Sequence, residues 1–247
     1  MAFREECGVF GIYGHTESAN LTYLGLYALQ HRGQEAVGIA TSDGVRLQMH
    51  KALGYVADNF DEATINRLAG MSAIRHVRYS TAGDSGIKNA QPILIDCAHG
   101  EIAICHNGNL VNAQELRESL VREGSIFQTT SDTEVLLHLY ARSKAGTPEA
   151  ALIESISQAQ GGFSLVLLTK DRLIAVRDPH GFRPLTLGKL GDAYIVASET
   201  CALDLIDAEW IRDIEPGEVF IVGPDGEKSL HPFAPSRKAH CIFEHVY

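Results

Sequence analysis

The sequence predicts an α+β fold in which antiparallel sheets are covered by helices. About ten short apolar stretches bounded by glycine and turn residues read as strands, far more than the helical segments. They come in clusters rather than alternating one for one with helices, which disfavours a doubly wound parallel sheet. The chain has 247 residues, 45% of them hydrophobic and 21% charged, enough to bury a core without staples.

Taken in order, Cys7 to Tyr13 reads as a strand, and a helix runs from a capping Ser18 to about Gln30 with Leu21, Leu24, Tyr27 and Ala28 on its apolar face. Val37 to Thr41 and Val45 to His50 form a hairpin across Ser42-Asp43-Gly44. Strands follow at Met71 to Val77 and Glu101 to His106, then helices at Asn112 to Arg122 and Asp132 to Ser143, the latter with Val135, Leu136 and Leu139 as its stripe. Thr147-Pro148-Glu149 is a helix start: a capping hydroxyl, a first-turn proline and an acid, ahead of Leu152, Ile153, Ile156 and Ala159. Further strands are expected at Ser164 to Thr169, Leu173 to Arg177, Leu185 to Gly188, Ala193 to Ser198 and Glu218 to Val222. Asp178 to Pro184 and Glu215 to Glu218 read as rigid turns, and Cys201 to Ile206 as a short helix.

Composition excludes several classes. The balance of 21 basic against 31 acidic residues gives −10, which disfavours a nucleic-acid binder. No run approaches the ~18 apolar residues of a membrane span, and the charged start is no signal peptide. The five cysteines (Cys7, Cys97, Cys105, Cys201 and Cys241) are scattered without a C-x-x-C pair. That speaks against a zinc ribbon and for reduced thiols in the cytoplasm.

Cys7 is the candidate nucleophile. Alone, a cysteine in an apolar strand is an ordinary core residue. Its functional reading needs a base, and loss of the first six residues would supply one: a free α-amine with a pKa of about 7.7–8.0. Gly8 beside it would let a substrate approach the backbone. Arg78 alone reads as a solvated strand end, Asp132 as a helix cap in Thr130-Ser131-Asp132, and Asn107-Gly108 as a turn.

These residues stand in strings that resemble class II glutamine amidotransferases: Cys7-Gly8-Val9-Phe10-Gly11-Ile12, Gln30 to Glu35 (QHRGQE), His76 to Gly83 (HVRYSTAG), His106 to Leu110 (HNGNL) and Ser131 to Glu134 (SDTE). Leu29 to Glu35, Arg177 to Leu185 (RDPHGFRPL) and Ala197 to Asp204 (ASETCALD) bring the resemblance nearest to the glutaminase domains of amidophosphoribosyltransferases. The resemblance implies a four-layer αββα sandwich of two antiparallel sheets, the N-terminal nucleophile hydrolase fold. It implies that Cys7 attacks the glutamine side-chain amide, with Asn107 and Gly108 as the oxyanion hole. Arg78 and Thr81 would hold the substrate α-carboxylate and Asp132 its ammonium, with Arg32 and Gly33 on a loop near the bound glutamine. His31 and His106 read as structural.

The same resemblance implies residues 1–6 as a removable leader, 7–235 as the amidotransferase domain, and 236–247 as a linker into a missing phosphoribosyltransferase domain. In the full enzyme, ammonia would convert phosphoribosyl pyrophosphate to phosphoribosylamine in purine biosynthesis. No cofactor or metal is expected in this chain. The full-length enzyme would need Mg2+ and, in one branch, a [4Fe–4S] cluster with Cys241 as first ligand. The expected partners are L-glutamine and the phosphoribosyltransferase domain in cis, within a homo-oligomer, with neither nucleic acid nor membrane. Three alternatives stand beside this reading: an unprocessed glutamine-binding module, an N-terminal-cysteine acylase acting on other amides, and the glutaminase domain of another class II amidotransferase.

Overall fold

The computed structural model describes residues 7–79, 86–234 and 236–239. Thr81, Cys241 and the leader at 1–6 lie outside these described residues.

Strand β1 (Gly8–Tyr13) lies at the middle of the first sheet. Its neighbours are β4 (Ser72–Arg78) and β10 (Ala193–Ala197), both antiparallel. Beyond them come β2 (Ala36–Ser42) and β3 (Leu47–Leu53) on one side, β9 (Thr186–Leu190) and β11 (Glu209–Asp213) on the other. The second sheet runs β13 (Gly226–Leu230), β12 (Val219–Gly223), β8 (Leu173–Arg177), β7 (Gly161–Thr169), β6 (Gly100–Leu110) and β5 (Ile93–Cys97), again antiparallel.

The period-2 alternation of the strands builds the layers. On β1, Val9 enters the core between the sheets, while Phe10 and Ile12 face the first helical layer. On β6, Ala103 and Cys105 point between the sheets, and Ile102 and Ile104 join the core under the second helical layer. Both faces of the central strands are buried, so they read as unbroken apolar runs. Helices α1 (Ser18–Ala28) and α7 (Cys201–Asp204), with the short α2 (Val56–Asn59) and α3 (Glu62–Arg67), cover the first sheet. Helices α5 (Thr133–Arg142) and α6 (Pro148–Ile156) cover the second, with α4 (Ala113–Arg122) packed against α5. This is the expected four-layer αββα sandwich.

The structure departs from the sequence reading at several places. Strands β5, β11 and β13 were not anticipated. The last two are exposed along nearly their whole length, so ladder hydrogen bonds, not an apolar pattern, define them. Helix α1 buries Ser18, Ala19, Thr22, Gly25 and Leu26, whereas Leu24 and Tyr27 of the expected stripe are exposed. The ring of Phe10 explains this: a Cβ on Gly25 would lie 2.3 Å from it, so small residues must face the sheet. Ser18 does not cap this helix but donates through Oγ to the Gly70 carbonyl at 2.7 Å. Thr147 does cap α6, accepting from the Ala150 N–H at 3.2 Å.

Candidate active site

Antiparallel register brings the pieces of the site together. Gly8 opposes Val77, so Cys7 at the start of β1 lies beside Arg78 at the end of β4. The Cys7 thiol donates to the Tyr79 carbonyl at 3.5 Å. From the other sheet, β6 contributes His106, Asn107 and Gly108. The sheets are joined here by His76, whose Nε2 donates to the His106 carbonyl at 3.0 Å. Burial pushes His76 down to about 3, so the ring is neutral near pH 7.

Asp132 precedes α5, yet its carboxylate makes no capping bond to that helix. Instead Oδ2 accepts from the Leu110 N–H at 2.9 Å, and Oδ1 stands 3.5 Å from His106 Nδ1. Burial pushes this carboxyl up, but His106 and the Leu110 N–H outweigh it and hold the group at about 2. Asp132 is therefore an anion fixed to the end of β6. Thr133 Oγ1 knits the surroundings, taking hydrogen bonds from Gln91 Nε2 at 3.2 Å and Ser131 Oγ at 3.1 Å. Gln91 Oε1 in turn accepts from the His106 N–H at 2.6 Å.

Asn107 is 1% exposed, and its Nδ2 has no hydrogen-bond partner among the described residues. Leaving a buried amide donor unpaired costs about 1–3 kcal/mol, and such donors persist where they serve chemistry. Gly108 has φ +134°, and a Cβ there would lie 2.1 Å from the Gly162 carbonyl oxygen, so only glycine fits.

Cys7, Arg78, Tyr79, Gln91, His106, Gly108, Ser131 and Asp132 line one cleft of about 20 Å3. Larger clefts of about 760 and 630 Å3 lie elsewhere, but neither gathers a nucleophile, an arginine and an anion. Chemistry rather than size singles out the small one. Within it, burial pushes the Cys7 thiol up, while Arg78, Arg32 and Arg183 pull it back down. Cys105, by contrast, is an inert thiol of the inter-sheet core.

A family model for the glutamine amidotransferase domain matches residues 76–205. The chain belongs to this family. Among curated proteins it is 46% identical over 98% of its length to amidophosphoribosyltransferase of Bacillus subtilis, and 51% identical over 99% to the chloroplastic amidophosphoribosyltransferase 1 of Arabidopsis thaliana. It spans 51% and 44% of those proteins respectively, so it corresponds to about half of each. Among solved structures, the glutamine phosphoribosylpyrophosphate amidotransferase of B. subtilis complexed with ADP and GMP superposes with a TM-score of 0.93 at 45% identity, covering 98% of this chain and 52% of that one. A protein described as a glutamine aminotransferase class-II domain protein from Silicibacter pomeroyi, at 15% identity and TM-score 0.58, shares the fold.

Within this amidotransferase domain, Arg32 and Gly33 both stand beside the cleft, each against the backbone of a residue that lines it. Arg32 is buried and donates through Nε to the Cys7 carbonyl at 2.9 Å, so it holds the Cys7 backbone. Gly33 packs against the Arg78 backbone, where a Cβ would lie 2.6 Å from its carbonyl carbon. Gly8 is also a packing glycine: a Cβ there would lie 2.7 Å from a Val77 methyl and 3.0 Å from the Leu29 Cβ. Gln91, Thr133 and Glu199 were missed by sequence reasoning. Each acts through a partner 15 or more residues away, a relation without a local signature.

Proposed function

We propose that Cys7, once the first six residues are removed, hydrolyses glutamine to glutamate and ammonia. The observation that carries this is the meeting of Cys7, Arg78, the Asn107-Gly108 pair and anionic Asp132 at the joined ends of two sheets. The free α-amine of Cys7 takes the thiol proton, and sulfur attacks the side-chain amide carbon. Asn107 Nδ2 and the Gly108 N–H receive the developing oxyanion. The amine returns the proton to the leaving nitrogen, ammonia departs, and water hydrolyses the thioester to glutamate. Arg78 suits the substrate carboxylate through its planar fork, with Thr81 as a further donor. Asp132 suits the ammonium.

In the longer protein, ammonia would pass to a phosphoribosyltransferase domain in cis and displace pyrophosphate from phosphoribosyl pyrophosphate. Phosphoribosylamine for purine synthesis would be the product, made by a homo-oligomer in a reducing cytoplasm. Among the described residues no helix is long and apolar enough to cross a membrane. No group of three or more His, Cys, Asp or Glu among them is placed to hold a metal ion. Cys7, Cys97, Cys105 and Cys201 lie on or next to separate elements, so these cysteines do not fit a [4Fe–4S] site. Such groups would belong to the remainder of the protein.

The test is labelling with a glutamine-like diazoketone followed by peptide mapping, alongside C7A. Modification confined to Cys7 and an inactive C7A are expected. Labelling elsewhere, or an active C7A, would sink the reading. The second reading, an unprocessed glutamine-binding module, is favoured by the burial-raised thiol donating to Tyr79. An intact mass retaining residues 1–6 together with glutamine binding and no turnover would select it.

A further inference from the structure

A second charged cluster stands beside the Cys7 backbone, centred on Glu199 in the turn between β10 and α7. Arg32, 1% exposed, uses two edges of its guanidinium. Its Nε donates to the Cys7 carbonyl at 2.9 Å, and its Nη1 pairs with Glu199 Oε1. His31 Nε2 stands 3.1 Å from Glu199 Oε2, and Cys201 Sγ lies 3.5 Å from the same oxygen. The preceding residue, Ser198, accepts from the Val9 N–H through Oγ and donates its own N–H to the Val9 carbonyl, both at 3.0 Å. The Ser198-Glu199 segment therefore grips β1 twice, at Val9 directly and at Cys7 through Arg32.

A guanidinium out of water needs a counter-charge, and a carboxylate at one edge also fixes the plane of the fork. We infer that Glu199 is a positioning residue: by holding Arg32 it fixes the Cys7 carbonyl, and thereby the orientation of the α-nitrogen and thiol on the same Cα. This rests on Cys7 being the nucleophile. It adds a residue that touches neither substrate nor reacting atoms and whose effect passes through Arg32.

Among the described residues, the charged and titratable groups facing Cys7 are Arg78 from β4, Tyr79, Arg32, Arg183 from the turn after β8, and Asp132 and His106 across the cleft. Those facing Glu199 are Arg32, His31 and Cys201. Glu199→Gln keeps the side-chain shape and one acceptor oxygen but removes the charge. Arg32→Lys keeps the charge but cannot bridge Glu199 and the Cys7 carbonyl together.

Both variants are made in the processed, full-length protein, and glutamine hydrolysis is followed against pH. E199Q is expected to lose about 10- to 100-fold in kcat, the scale of a mispositioned catalytic group, with KM within about twofold. Its acid limb of kcat/KM moves to lower pH, because loss of the Glu199 negative charge makes the field at the amine more positive and disfavours its protonated form. R32K shows a similar kcat loss with the acid limb in place, and the double variant is no worse than R32K alone. Wild-type kcat in either variant would overturn the inference, as would parallel losses of kcat, KM and thermal midpoint with an unmoved limb in E199Q. If E199Q does not fold, R32K alone carries the decision. An active C7A would remove the nucleophile and this inference together. An inactive C7A with wild-type E199Q would remove only the inference.

Discussion

Asn107 carries a buried amide nitrogen whose partner among the described residues is missing, beside a glycine that no other residue could replace. N107A should lower kcat about 10²–10³-fold, or ~2.7–4 kcal/mol, with little change in KM. Its thermal midpoint should not fall, since the deleted donor has no partner among the described residues, and circular dichroism would check this. Asp132 has a sign that can be worked out. Its folded value of about 2 lies below the ordinary 3.8, so its stabilisation is fully present above about pH 4 and is lost as pH falls toward 2. The shift corresponds to on the order of 2 kcal/mol. Urea titrations of wild type and D132N should differ by this amount at pH 6 and converge near pH 2; a gap that persists at pH 2 would refute the assignment.

At the scale of elements, the start of α6 obeyed local chemistry while the face of α1 did not. The Thr147 hydroxyl sits on the Ala150 N–H with Pro148 in the first turn, as the three-residue signal implied. T147A should cost about 1 kcal/mol and lower the thermal midpoint by ~2–4 °C, leaving kcat unchanged in a coupled glutamate assay. Helix α1 shows the opposite lesson. It is apolar nearly all round, so periodicity could not choose its buried face, and the Phe10 ring chose it through Gly25. Strands β11 and β13 were illegible for a related reason: an exposed edge strand owes its state to its neighbour's N–H and C=O groups.

Across the whole molecule, the closeness of the two sheets depends on Gly11. A Cβ there would lie 2.8 Å from a Val166 methyl and 2.9 Å from a Leu173 methyl in the opposite sheet. G11A should therefore destabilise by about 1–3 kcal/mol through overpacking, measured as a lower urea midpoint at unchanged m-value. The strand clusters, the turns at Asp178 to Pro184 and Glu215 to Glu218, and the strings around Cys7, Arg78, Asn107 and Asp132 were legible in the sequence. Alternation, turn residues and motif spacing are local properties, and they determined the layered antiparallel class and the family. The chain order alone could not say that Arg32 grips the Cys7 carbonyl, that Asp132 accepts from the end of β6, or that Glu199 stands behind both Arg32 and His31. Those contacts join residues 22 to 168 positions apart. Only the pairing of strands and the stacking of sheets sets such distances, so tertiary structure alone decided them.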